Sequence, residues 1–287
     1  GVEYYGSISA LKAGLVFAER LSTVSPTYAT ELATPAFGMG LDGMLRARAA
    51  ELSGILNGIA AAVWDPAQDG DLAATYKTPR GKTANRAALR AEFGLAEESG
   101  PLCVIVSRLT EQKGIDLVLD ALPSLLEREG QLAVLGSGDS EYEETLRRAA
   151  DDNPNVAVRI GYDEALSHRV TAGGDAILVP SRFEPCGLTQ LYGLRYGTIP
   201  LVARTGGLAD TVIDANPAAL RAGVATGLQF APVTSDALAH ALTRLCDLFA
   251  EPAVWSKLQR NAMKQPVGWA PSAAEYAALY RDLVQTK

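Results

Sequence analysis

From Leu102 to Phe230 the chain repeats one unit: a short apolar run of four or five residues, a loop, then a helical pattern. The runs fall at 102–106, 131–135, 156–160, 175–179, 199–203 and 227–230. Helical patterns follow near 115–128, 141–151, 164–171, 188–196 and 208–214, with two more at 235–249 and 251–263. The runs are continuously apolar and do not alternate with polar residues. A strand of that kind is covered on both faces, and repeated strand–helix units with covered strands predict a parallel sheet wound by helices on either side. The expected class is therefore α/β, with a complete doubly wound domain over 101–265. In such sheets ligands sit outside the carboxyl ends of the strands.

Two of the loops at that edge carry chemistry. Strand 175–179 leads into Pro180-Ser-Arg-Phe-Glu-Pro-Cys-Gly-Leu-Thr-Gln-Leu-Tyr192, which holds a carboxylate, Glu184, just before a helix begins at Leu188–Thr189. Pro185 restricts this loop, and Gly187 permits close backbone approach to a ligand. The free N–H groups of the helix start favour an anion. Glu184 reads equally as an ordinary capping or solvated acid. Cys186 reads as a structural thiol, because no His lies beside it in sequence to generate a thiolate. Strand 102–106 ends in Ser107-Arg-Leu-Thr-Glu-Gln-Lys-Gly114. Arg108 and Lys113 suit a diphosphate, the guanidinium as a fork and the ammonium as a mobile point charge. The competing reading is a solvated basic loop.

Weaker candidates line the same edge. Gly136-Ser-Gly138 allows close approach to a nucleotide or simply makes a turn. Tyr162, after strand 156–160, either stacks on a purine or forms a rim. Thr205, Gly206 and Gly207 expose N–H groups suited to phosphate or sugar hydroxyls, and would equally serve a strand–helix turn.

Composition narrows the partners. A formal charge of −7 opposes nucleic acid and anionic membrane, both of which require a basic surface, but leaves a neutral polysaccharide open. No apolar run is long enough to span a bilayer. Three widely spaced cysteines fit neither a disulfide framework nor a zinc site, and predict a reducing, cytoplasmic setting. Cys103 reads as a packed core thiol. His168 and His240 lack metal spacing and read as surface or hydrogen-bonded helix residues.

Taken together, Ser107 to Val118, Pro180 to Tyr192 and Ala203-Arg-Thr-Gly-Gly-Leu-Ala-Asp-Thr-Val212 resemble bacterial glycogen synthase and plant starch synthase. The likeness runs from Ser25-Pro-Thr-Tyr28 and Leu56-Asn-Gly-Ile59 to Trp269 and the Tyr276–Tyr280 region. It implies a GT-B-type enzyme that retains configuration and moves glucose from ADP-glucose to the non-reducing end of an α-1,4-glucan without a metal or other cofactor. In that reading Arg108, Lys113 and Glu184 are catalytic. Gly136, Tyr162, Cys186, Gly187, Leu188, Thr189, Thr205, Gly206 and Gly207 bind substrate. A UDP-sugar transferase of the same type, or a nucleotide- or glucan-binding unit without catalysis, is the alternative.

Two departures qualify the resemblance. Residues 1–58 contain no Lys-Thr-Gly-Gly-Leu donor loop and read as the later part of a Rossmann-like N-terminal domain, the acceptor side, with the remainder missing. The position after Asn57-Gly58-Ile59, usually Asp, is Ala60. The second Glu that many retaining glycosyltransferases carry eight positions after the first is Tyr192 here, with Gln190 nearby, a substitution the synthases share. Within 1–58 the expected elements are helices near 8–18 and 27–32 and strands at 21–24 and 52–56. Residues 59–100 read as a linker with one exposed helix at 82–93. Residues 266–287 read as a closing helix, about 272–286, which in the resembled family returns to the N-terminal domain.

Overall fold

A computed structural model describes residues 1–285. The sheet expected from the apolar runs is present, with six strands, all parallel: β5 (Leu102–Val106), β6 (Gln131–Gly136), β7 (Val156–Ile160), β8 (Ala176–Val179), β9 (Ile199–Ala203) and β10 (Leu228–Phe230). They follow β1 (Glu3–Tyr4), β2 (Ser7–Ile8), β3 (Leu21–Thr23) and β4 (Leu52–Gly54) of the N-terminal unit. The order across the large sheet is β10-β9-β8-β5-β6-β7. The chain winds outward from β5 to β7, then returns to the far side of β5 at β8 and winds outward again.

Alternate residues of the strands feed opposite faces, as the pleat requires. On one face Leu102, Val104, Ala133 and Ile177 pack with Leu89, Leu166 and Val170. On the other, Cys103, Ile105, Leu132 and Val134 pack with Leu117, Val118, Leu242 and Leu245. Helices α5 (Ile115–Leu126) and α11 (Ser235–Phe249) lie together on that second face. The first face is covered by α7 (Glu164–Gly173) and by α4 (Lys82–Phe93). Each fully buried Leu or Ile contributes about 1.5–3 kcal/mol relative to exposure.

Helix α4 corrects the expectation of a linker with an exposed helix over 59–100. Its sequence, KTANRAALRAEF, is polar, yet Lys82, Asn85, Leu89 and Arg90 are buried. The polar groups are inside because each has partners. Lys82 Nζ donates to Ala172 O at 2.6 Å, Thr198 Oγ1 at 2.7 Å and Tyr196 O at 3.2 Å. It thereby places an amine donor at the last turns of α7 and α8 (Thr189–Tyr196), whose final carbonyls have no partner within their own helices. Burial draws the Lys82 ammonium down to about 7, against a smaller opposing pull from Asp175. Arg90 Nε donates to Gln131 Oε1 at 2.8 Å, and Arg169 grips Glu92 with two bonds of 2.9 and 2.8 Å.

The stretch before α4 is core as well. Ile59, Trp64 and Tyr76 join the main cluster, and the Tyr76 hydroxyl donates to Tyr196 O at 2.8 Å. Trp64 is stacked between His168 and Tyr192, with ring centroids 3.8 and 3.7 Å away. His168 is a hydrogen-bonded helix residue, as expected, but not a surface one: it is buried, with Nδ1 2.7 Å from Asp69 Oδ2. The Tyr196 hydroxyl donates to the same oxygen at 2.5 Å. Among the described residues, Asp69, Asp71 and His168 bring ligand-type atoms within 4.8 Å of one another, a proximity the sequence spacing did not reveal.

The N-terminal unit is sparser. It contains the β1–β2 hairpin, a parallel pair β3–β4, and helices α1 (Ala10–Phe17), α2 (Pro26–Leu32) and α3 (Asp42–Ala47). The sequence reading missed α3 and the hairpin. Helices α6 (Ser140–Asp152), α9 (Gly206–Thr211), α10 (Pro217–Ala222) and α12 (Pro252–Met263) complete the sheet domain. Closing helix α13 (Ala270–Gln285) reaches back to the first unit through an Asp282–Arg20 ion pair of 2.8 Å. The far end of the expected 272–286 helix lies outside the described residues. Among the described residues no helix is long and apolar enough to cross a membrane.

Candidate active site

At β5 and β8 the winding reverses, so their following connections diverge and leave a crevice at the carboxyl edge. The two loops singled out from the sequence are the two that flank it. They are tied to each other by backbone and side chain. Arg182 N–H donates to Gln112 O at 2.9 Å, and Gln112 Nε2 donates to Phe183 O at 3.0 Å. The Arg182 guanidinium forks onto Asp116 with bonds of 2.7 and 2.5 Å, holding that carboxyl below its usual range. Gly114, at φ +69°, lies so close to β8's exit that a Cβ there would sit 2.3 Å from Pro180 O. Only glycine satisfies both demands.

Glu184 is buried in this crevice, with 9% of its surface exposed. Its Oε2 accepts from the Lys113 ammonium and, at 2.9 Å, from Ser181 Oγ. A buried carboxylate is tolerable only with such partners. Cys186 is buried beside it, and burial pushes its thiol up, with a weaker opposing hydrogen bond from the Asn57 backbone. That keeps the sulfur neutral and supports the structural reading of this cysteine.

A cavity of about 360 Å³ lies at the carboxyl ends of β5 and β6, with Thr189 of α8 on its wall; Glu184, Lys113 and Cys186 are not part of its lining. Arg108, Gly136, Tyr162 and Thr189 all line it, with Trp64 and Tyr192 among its aromatic walls. Tyr162 is 77% exposed at its rim. Arg108 spends one N–H on Gln112 Oε1 at 2.9 Å. Gly136 is required by packing, since a Cβ would lie 2.0 Å from Ser107 O, and it also leaves the cavity wall bare. Leu188 is the N-cap of α8, and Thr189 and Tyr192 of that helix line the cavity.

The turn Thr205-Gly206-Gly207 packs against the backbone of the Glu184 loop. Gly207 N–H donates to Glu184 O at 3.1 Å and to Pro185 O at 3.2 Å. Gly206 has φ +43°, and a Cβ on it would be 2.0 Å from Glu184 O. Gly187, at φ +70°, faces Gln190, whose Nε2 donates to Cys186 O and Gly187 O at 3.0 and 2.9 Å. Thr205 itself is turned away, its hydroxyl donating to Glu31 Oε1 at 2.8 Å.

The candidates thus separate into a cavity group (Arg108, Gly136, Tyr162, Thr189) and a buried group around Glu184 (Lys113, Cys186, Gly187, Gly206, Gly207). Sequence reasoning missed Ser181, Gln112, Trp64 and Glu31. Ser181 could have been found as the hydroxyl three residues before Glu184 on the same loop. Trp64 and Glu31 carry no local signal, because both act from distant segments.

The sheet order and the crevice define a doubly wound, Rossmann-type nucleotide-binding domain, and its likeness to known proteins makes it a glycosyltransferase domain of GT-B type. Residues 87–262 match the family described as Glycosyl transferases group 1, and residues 1–47 match the starch synthase catalytic domain. The chain belongs to the glycosyl transferases group 1 family. It is 65% identical over 279 residues to a glycogen synthase of Jannaschia sp. (strain CCS1), covering 97% of this chain and 59% of that one. It is 63% identical to a glycogen synthase of Paracoccus denitrificans (strain Pd 1222), again over 59% of the relative. The catalytic domain of starch synthase IV from Arabidopsis thaliana, solved with ADP and acarbose, superposes with a TM-score of 0.88 at 34% identity, covering 96% of this chain and 58% of that one. The chain therefore spans about 59% of the length of the curated relatives it matches.

Proposed function

We propose that this chain carries the donor site of a retaining glucosyltransferase that moves glucose from ADP-glucose to the non-reducing end of an α-1,4-glucan. The observation that carries the reading is the tying together, at the sheet's switch point, of the loop that brings Arg108 to the cavity and the loop that holds the buried Lys113–Glu184 pair, with Gln112 bonded to both Arg108 and Phe183 O. Similarity to glycogen synthases and to a starch synthase solved with ADP supports the choice of nucleotide.

In this mechanism Tyr162 packs against the adenine, and Arg108 and Lys113 face the diphosphate. As the glycosidic bond breaks, negative charge grows on departing ADP. Two preorganised cations stabilise that charge by on the order of several kcal/mol. The N–H groups at Leu188–Thr189 add to the same field. Glu184, fixed by Ser181 and Lys113, binds hydroxyls of the transferred glucose and sets its orientation. Retention follows from front-face attack, the leaving phosphate accepting the acceptor's proton, so Glu184 is not a covalent nucleophile. The charge that a metal would bring is supplied by Arg108 and Lys113, and activity survives chelation in this reading.

The test is thermal unfolding of the purified chain with ADP, UDP and ADP-glucose. A ligand at a hundred times its Kd stabilises by about 2.7 kcal/mol. ADP and ADP-glucose are expected to raise Tm while UDP at equal concentration does not. Arg108→Ala is expected to weaken ADP about tenfold, the loss of one charge-assisted contact. A larger shift with UDP, or an Arg108→Ala protein indistinguishable from wild type, sinks the assignment.

A further inference from the structure

Two short helices from distant parts of the chain, α2 and α9, pack together and cap each other. In the last turn of α2, Glu31 Oε1 accepts from Thr205 Oγ1 at 2.8 Å and from Gly206 N–H at 3.0 Å. Helix α9 returns the contact, since Asp210 accepts from Thr27 N–H at 3.0 Å and from Thr27 Oγ1 at 2.6 Å. The partners are 174 to 183 positions apart in sequence. The Thr205 hydroxyl gives α9 no cap of its own, and Glu31 takes that role from the other unit.

The turn that Glu31 holds is the turn that grips the sugar-side loop. Gly207 N–H is bonded to Glu184 O and Pro185 O, and no side chain fits at Gly206 or Gly207 against the backbone of Glu184 and Cys186. Any displacement of the turn must therefore move the loop that carries Glu184. Interiors packed this closely pass on a shift and do not absorb it.

We propose that Glu31 is a positioning residue: through the Thr205–Gly207 turn it sets the backbone of the Glu184 loop, so that the seating of the N-terminal unit is transmitted to the carboxylate that orients the donor sugar. This deepens, and rests on, the reading of the crevice as a nucleotide-sugar site. The nucleotide end of that site, with Arg108 at the end of β5 and Tyr162 after β7, is away from the turn that follows β9, where the Glu31 hydrogen bonds fall. The signature is a loss confined to the sugar.

Amide hydrogen exchange and calorimetric titration of this chain with ADP and ADP-glucose test it. Glu31→Ala is expected to speed exchange at 205–211 and at 181–187 about tenfold, as loss of a charge-assisted acceptor implies. ADP affinity should stay within about twofold, whereas ADP-glucose should weaken about five- to tenfold. Glu31→Gln keeps an accepting Oε1 but loses the charge and puts an amide NH2 where Oε2 is buried without a hydrogen-bond partner, so it should restore part, not all, of the lost protection and ADP-glucose affinity. Should Glu31→Ala fail to fold, Thr205→Val removes one of the two donors and should show a smaller change of the same pattern. Unchanged exchange at 181–187, equal weakening of ADP and ADP-glucose, or no rescue by Gln overturns the proposal. A wild-type chain that binds neither nucleotide refutes the donor-site reading instead, while the exchange arm still decides whether the turn transmits.

Discussion

Helices α1 and α5 are both mostly apolar, yet their fates differ. α5 buries Ile115, Leu117, Val118, Ala121, Leu122 and Leu125 against the sheet and α11. α1, with the sequence ALKAGLVF, buries none of its residues, and Leu11 and Phe17 are 67% and 78% exposed. The difference is in what each helix packs against. Six strands give α5 a continuous floor. The β3–β4 pair gives α1 almost none, and a cavity of about 590 Å³ lies open between Leu11, Leu15, Phe37, Leu45 and Leu52. Apolar composition sets what a segment can bury, and the number of neighbouring layers sets what it does bury.

The sharpest way to break this comparison is to truncate one residue in each region. Leu132→Ala, in a strand with 0% exposure and both faces covered, is expected to cost about 2–5 kcal/mol, from lost transfer energy plus the cavity left behind. Phe17→Ser should shift urea unfolding by less than about 0.5 kcal/mol, while reducing binding of an apolar dye at the open face. Equal costs in the two regions, read by tryptophan fluorescence in urea, would show that the N-terminal unit has a core of its own.

A second test sharpens the contrast at α4, which is polar in sequence and buried in fact. Lys82 has its folded pKa near 7, well below that of an unfolded lysine. Between those values the unfolded state binds more protons, so this group's contribution makes stability rise with pH above about 7 and stay flat below it. The gain from pH 7 to 8.5 is about 1–2 kcal/mol. Buried Cys103, Cys186 and Cys246, whose thiols are pushed up by burial, act in the opposite direction as the unfolded thiols ionise. Comparing wild type with Lys82→Met cancels the cysteines. A wild-type curve parallel to that of Lys82→Met between pH 7 and 8.5 would mean that the ammonium stays charged inside, satisfied by Ala172, Thr198 and Tyr196.

The same contrast explains what the sequence made legible. Strands at 102–106, 156–160 and 199–203 and the helix at 235–249 fall where periodicity put them, because a parallel sheet imposes its pattern residue by residue. The two loops at the switch point were visible because glycine, proline and charge cluster there at the ends of obvious strands. Trp64 and Tyr76 were misassigned to a linker, and Lys82 to an exposed helix, because what buries them is long-range. Their partners are Tyr192, Tyr196 and Thr198, more than a hundred positions away, and no local period announces a lysine that will sit under two helix ends. Glu31 was illegible for the same reason, since its donors lie on α9.

The smallest expected effect lies at the turn that follows the N-terminal unit. Ala60 follows Ile59, which pairs with the Gly268 segment, and its carbonyl accepts from Val63 N–H at 2.9 Å and Trp64 N–H at 3.0 Å. Residue 60 therefore opens a single helical turn in the position of an N-cap, and its side chain is exposed. An Asp there can accept from the free N–H groups of that turn, so Ala60→Asp is expected to stabilise by about 0.5–1 kcal/mol. The turn delivers Trp64 to the wall of the 360 Å³ cavity, yet Ala60 itself is not among the cavity's lining residues. ADP affinity should accordingly be unchanged. If Ala60→Asp raises stability and leaves ADP binding alone, the acid at this position serves the backbone of the turn. If instead it tightens ADP-glucose with no gain in stability, residue 60 belongs to the site, and the boundary between turn and crevice must be redrawn to include it.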